Sequence, residues 1–221
     1  MPGIDRRPKR QRATRSGRQS VALLILLLLA SQAASAYDYP LNSESIRNAY
    51  FLGERNNFQT MRRLLQYIHR FTGPQTGRYL VSQIDISTPY QQIVLRGRRD
   101  TPGDSEVQTE TDLHAHPLKF IVRVRVEWNG SYADHVRRSI APPDLSRGVS
   151  IHVIQQHRIT PLKTSRQALY SSTGHGGSAF VGMLFELQFN PAKIASAPLR
   201  VSVRKPDGQV VETKFDLTKL R

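Results

Sequence analysis

The chain has no cysteine in 221 residues. That absence excludes a disulfide scaffold, thiolate zinc sites, iron–sulfur clusters and a lipidated N-terminal cysteine. Acid is scarce, with 17 Asp and Glu against 32 Lys and Arg, a formal net charge of +15. No G-x-S-x-G elbow, H-E-x-x-H pair, P-loop or dinucleotide fingerprint occurs, and no internal repeat of 20–50 residues is visible. Hydrophobic content of 38% and charged content of 22% are ordinary for a folded globular chain.

Long apolar runs are scarce as well. The one that stands out, Val21–Ala30, follows seven basic residues (Arg6, Arg7, Lys9, Arg10, Arg12, Arg15 and Arg18) and precedes Ala34-Ser35-Ala36. A positive leader, a short apolar stretch and small residues at −3 and −1 make a secretory signal over 1–36, cleaved before Tyr37. The run is short of the ~20 apolar residues that span a bilayer. Removing 1–36 leaves a net charge of +9, so the basicity survives export. The localisation expected from this is periplasmic or secreted.

Two periodicities divide the remainder. Residues 42–71 carry Ile46, Ala49, Tyr50 and Gly53 on one helical face. A break follows at Asn56-Asn57, then a second stripe of Phe58, Met61, Leu64, Leu65, Ile68 and Phe71. This predicts an N-terminal helical segment over 37–78, with the second stripe packed on the core. From Tyr79 the period becomes two. Short strands are expected at 79–86, 90–95, 149–153 and 179–189, and the clearest at 118–128. There Phe120, Val122, Val124, Val126 and Trp128 alternate with Arg123, Arg125 and Glu127. Asn129-Gly130 is hairpin chemistry, so a partner strand is expected at 131–136. Lys205-Pro206-Asp207-Gly208 joins a last hairpin. The prediction is a mainly β fold. Residues 79–221 would form an antiparallel β-sandwich of immunoglobulin-like type behind one or two helices.

The segments AYFLGERNN (Ala49 to Asn57) and STPYQQIV (Ser87 to Val94), with the closing Pro-Asp-Gly hairpin, resemble exported bacterial proteins of no assigned function. The resemblance implies export and carries over no functional residues.

Two groups of residues are candidates for function. Lys119, Arg123 and Arg125 share the outward face of one strand, and Arg200 and Arg204 that of another. If the strands are neighbours, the five form a cationic stripe that holds a protein or an anionic envelope component. Aromatic residues interleaved for base stacking are missing there, which argues against nucleic acid. The second group lies in the polar stretch 99–117. In an extended loop Glu110, Asp112, His114 and His116 would point to one side and could ligate a divalent metal. The preferred expectation is a non-catalytic exported binding or structural protein without a cofactor. The alternative is a hydrolase or divalent-metal enzyme built on 99–117.

Overall fold

A computed structural model describes residues 37, 39–73, 75–99, 105–129, 145, 147–172 and 178–220. The chain divides into two units, Met1–Ser35 and Ala36–Arg221. The signal sequence expected over 1–36 lies outside the described residues. Within the second unit the order is α1 (Ser43–Glu54), α2 (Phe58–Leu65), β1 (Ile68–Arg70), β2 (Tyr79–Ser87), α3 (Pro89–Arg99) and α4 (Glu106–Ala115). Then come β3 (Phe120–Trp128), β4 (Ser150–Ile154), β5 (Arg158–Ile159), β6 (Lys163–Ser172), β7 (Ser178–Phe189), β8 (Pro198–Arg204) and β9 (Val210–Asp216).

The fold is mainly β, with two antiparallel sheets and four helices among the described residues. One sheet has the order β1-β2-β3-β7-β6, the other β5-β4-β8-β9. The alternation of β3 explains its central place. Phe120, Val122, Val124 and Val126 are fully buried, while Arg125 is exposed. These side chains join Phe185, Leu187 and Phe189 of β7, Leu199, Val201 and Val203 of β8, and Phe215 of β9 in one core cluster. Burying each such side chain contributes roughly 1.5–3 kcal/mol. Both edges of β3 are taken, by β2 and β7. The partner strand expected at 131–136 lies outside the described residues.

One end of the two sheets is tied by a polar knot. Lys205 is 1% exposed, at the turn between β8 and β9. Its Nζ donates to the carbonyls of Thr76 (3.1 Å) and Tyr79 (2.9 Å) and to Oε1 of Gln209 (2.6 Å). All three ammonium protons therefore have acceptors, as a buried lysine requires.

The helices form a second core of Ile46, Ala49, Tyr50, Leu64, Ile93 and Val94. The face predicted for α1 is the one it buries. Asn42 and Asn57 cap α1 and α2, their side chains accepting from Ser45 and Thr60 backbone N–H groups. Glycine brings α1 and α3 into backbone contact. A Cβ on Gly53 would stand 2.1 Å from the Val94 carbonyl oxygen, and one on Gly97 2.3 Å from that of Tyr50.

Several sequence expectations need correction here. The second helix stops at Leu65, and Ile68 belongs to β1. Its stripe packs only in part: Leu64 is buried and Phe71 lies against the sheet core, but Phe58 is 80% and Leu65 52% exposed. The strand expected at 90–95 is α3, started by Thr88, whose Oγ1 accepts from the Gln91 N–H at 3.1 Å, and by Pro89 in the first turn. The polar stretch 99–117 is helical over Glu106–Ala115, capped by Ser105. Helix is thus not confined to 37–78, since α3 and α4 lie between adjacent strands β2 and β3. Among the described residues no helix is long and apolar enough to cross a membrane.

Candidate functional site

The metal geometry expected in 99–117 depended on an extended chain. In α4, residues two apart point to opposite faces, so Asp112 and His114 diverge. Asp112 instead accepts from Arg96 and from Gln108 (2.8 Å), and those hydrogen bonds hold its carboxyl below the usual range. Glu110 accepts from the Ser43 hydroxyl. His114 and His116 are exposed. Among the described residues no group of three or more His, Asp or Glu is placed to hold a metal ion.

The five predicted basic residues do not form one stripe, because β3 and β8 belong to different sheets. On the five-stranded sheet Arg123 lies between two carboxylates. Its Nε donates to Glu186 at 2.8 Å, and Asp85 lies 3.8 Å from Nη1. Burial pushes Asp85 above the usual carboxylate range, against the Gln83 hydrogen bond and the Arg123 charge. Burial acts the same way on Glu186, but hydrogen bonds from Gln188 and Arg123 outweigh it and its pKa falls. Arg125 pairs with Glu127 at 2.7 Å. Lys119 precedes β3, and its carbonyl accepts from Gln92. On this face the cations are largely matched by acids.

The four-stranded sheet is different. Leu199, Val201 and Val203 face the core, which turns Arg200, Ser202 and Arg204 outward. The register sets Arg200 beside Ile154 of β4 and Lys214 of β9, and Ile154 beside Arg158 of β5. One cross-strand row therefore reads Arg158, Ile154, Arg200, Lys214. The next outward row is His152, Ser202, Glu212, and the third is Ser150, Arg204, Val210. Strands lie ~4.8 Å apart, so Arg200 and Lys214, on adjacent strands, fall within the ~8 Å screening length of physiological salt, and Arg158, two strands from Arg200, lies just beyond it. Among the described residues, the acid on this face that pairs with Arg200 is Glu212, only at 3.8 Å and with both side chains 46% exposed. Such an exposed pair is worth little. Asp216 is engaged by Thr218 and Lys219. His152 registers the resulting field. Partial burial lowers its pKa first, and the charges of Arg158 and Arg204 lower it further. Sequence reasoning found Arg200 and Arg204. It missed Arg158 and Lys214, which join the row of Arg200 only through strand register.

A groove of about 580 Å³ opens on the helical side, lined by Phe51, Leu52, Arg55, Arg63 and Tyr90 among others. The segments Ala49–Asn57 and Ser87–Val94 meet there. Comparison of the chain with protein-family models, with curated proteins and with solved structures finds no match in any of the three.

Proposed function

We propose that the chain is an exported, non-catalytic binding protein of the cell envelope that holds an acidic partner on the outer face of its four-stranded sheet. Export rests on the basic leader, the apolar run Val21–Ala30 and the small residues Ala34 and Ala36. We take the two sheets as an immunoglobulin-like sandwich carrying a helical insertion. Their antiparallel pairing, shared core and closing β8–β9 hairpin support this.

The observation that carries the binding proposal is the row Arg158, Arg200, Lys214, with Arg204 two outward rows away on the same face. Four outward cations on one sheet face attract a negative surface and speed its encounter, and salt weakens the attraction. Immobilised polyglutamate is a suitable probe. Wild type should be retained at low salt and released as salt rises. The double variant Arg200→Glu/Lys214→Glu should elute at clearly lower salt with an unchanged circular dichroism spectrum. Arg125→Gln, on the other sheet, should behave as wild type. Equal retention of the double variant and wild type would remove the sheet face from consideration.

A further inference from the structure

The groove between the helices is a different kind of surface from the cationic sheet face. Its volume of about 580 Å³ lies inside the ~300–1,000 Å³ range of small-molecule sites. Phe51, 39% exposed, and Tyr90 offer aromatic surface, and Leu52 adds an aliphatic patch. Arg55 and Arg63 bring two guanidinium groups to the same groove, against one carboxylate, Glu54. Guanidinium is the side chain best shaped for a planar oxyanion, which it can grip with two parallel hydrogen bonds.

We propose that this groove binds a small organic anion: an apolar, ring-containing body against Phe51, Leu52 and Tyr90, with a carboxylate, sulfonate or phosphate head held by Arg55 and Arg63. Two features beyond composition support the site. The first is its rigidity. The close approaches of Gly53 to Val94 and of Gly97 to Tyr50 hold α1 on α3, and the Thr60 hydroxyl donates to the Leu52 carbonyl at 3.1 Å, fixing α2 against α1. Walls fixed before binding spare the ligand the ordering cost of closing them. The second lies beneath. A small inner cavity shares Leu52, Arg63 and Tyr90 with the groove and adds Gln91. Gln91 is 7% exposed, and its Oε1 accepts no hydrogen bond among the described residues. A buried acceptor without a donor is costly and rare. That cavity measures about 10 Å³, room for at most one water, and such a water supplies the donor beneath the groove floor. The site therefore selects a molecule with an acidic head and a flat apolar body.

Anilinonaphthalenesulfonate is a direct probe, because it combines aromatic rings with an anionic head. Phenylnaphthylamine has the same rings and N–H without the sulfonate. Wild-type protein should take up the sulfonate saturably, with a fluorescence rise. The neutral analogue should bind at least roughly tenfold more weakly, the loss expected when a charge-assisted hydrogen bond is absent. Arg55→Gln and Arg63→Gln should each weaken the sulfonate by about the same factor and leave the neutral probe unchanged. Arg55 is exposed at the C-cap of α1, so that variant keeps its fold. The Arg200→Glu/Lys214→Glu variant should bind the sulfonate like wild type, which separates this site from the sheet face. Equal affinity for the two probes, or sulfonate binding untouched in Arg55→Gln, would overturn the proposal.

Discussion

Replacing Gly53 by alanine sets two physical effects against each other. Gly53 lies inside α1, where alanine is favoured over glycine by about 1 kcal/mol. On propensity alone the substitution stabilises. The added Cβ, however, would sit 2.1 Å from the Val94 carbonyl oxygen and 2.9 Å from the Arg98 nitrogen. Ordinary contact begins at 3.4 Å, so α3 must retreat by about 1.3 Å. Both obstacles are backbone atoms, and no rotamer change removes them. The retreat also opens the reciprocal Gly97 contact and loosens Ile93 and Val94 against Ala49 and Tyr50. Overpacking of this kind costs typically 1–3 kcal/mol, here toward the upper end, so the net loss should be roughly 2 kcal/mol. Urea unfolding gives the number. Far-UV circular dichroism follows the helices, and the single tryptophan, Trp128 of β3, follows the sheet. Gly73→Ala is the control, because nothing lies within 4 Å of its added Cβ. The double variant Gly53→Ala/Gly97→Ala should lose less than the sum of the singles, since one clash already parts the helices. A Gly53→Ala protein as stable as wild type, or more so, would refute the close-approach account.

Two further outcomes are expected. Lys205→Met should destabilise the fold by about 1–3 kcal/mol for each buried acceptor it leaves unpaired, an effect readable in the urea midpoint. A change below about 0.5 kcal/mol, the level of an ordinary surface site, would mean the knot is incidental. His152 governs part of the acid sensitivity. Its folded pKa is lowered, so between the two pKa values the unfolded chain binds more protons than the folded one. Its contribution to stability is therefore present above the unfolded value of ~6.5 and is lost as pH falls from there through the lower folded value. His152→Gln should flatten the decline in stability as pH falls below about 6.5, and an unaltered slope would exclude His152 as its source.

The parts of the fold legible in the sequence are those with one face on the shared core. Phe120 to Trp128, Val181 to Phe189 and the β8–β9 hairpin alternate because β3, β7, β8 and β9 turn every second side chain inward. β6 was not legible. Its residues Lys163 to Ser172 are mostly exposed, and it is a strand because β7 offers it a ladder of backbone partners. The helix α3 did carry a signal, Thr88 followed by Pro89, but the run Ile93-Val94-Leu95 resembles a strand when read by apolar content. For α4 there was less to see. It buries only Thr109 fully, so no apolar stripe marks it. The candidate sites divide the same way. Outward charges on one strand can be read from alternation, whereas the row joining Arg158, Arg200 and Lys214 exists only through pairing between distant segments. The groove draws on α1, α2 and the turn into α3, and no local pattern announces it.

The placement of α3 and α4 has a mechanical consequence. The chain leaves the five-stranded sheet after Ser87 and re-enters at Phe120, and Ser87 faces Ile121 across the β2–β3 ladder. Exit and return are thus neighbouring strand ends, about 4.8 Å apart. α1 and α2 are tethered at the same end, because β1 begins at Ile68 and its residue partners Asp85 of β2. A single flexible tether would act as a swivel. Three hydrogen-bonded strand ends side by side act as a clamp, which resists twisting as well as bending. A load applied to the helices passes straight into β2 and β3, the strands that carry the core.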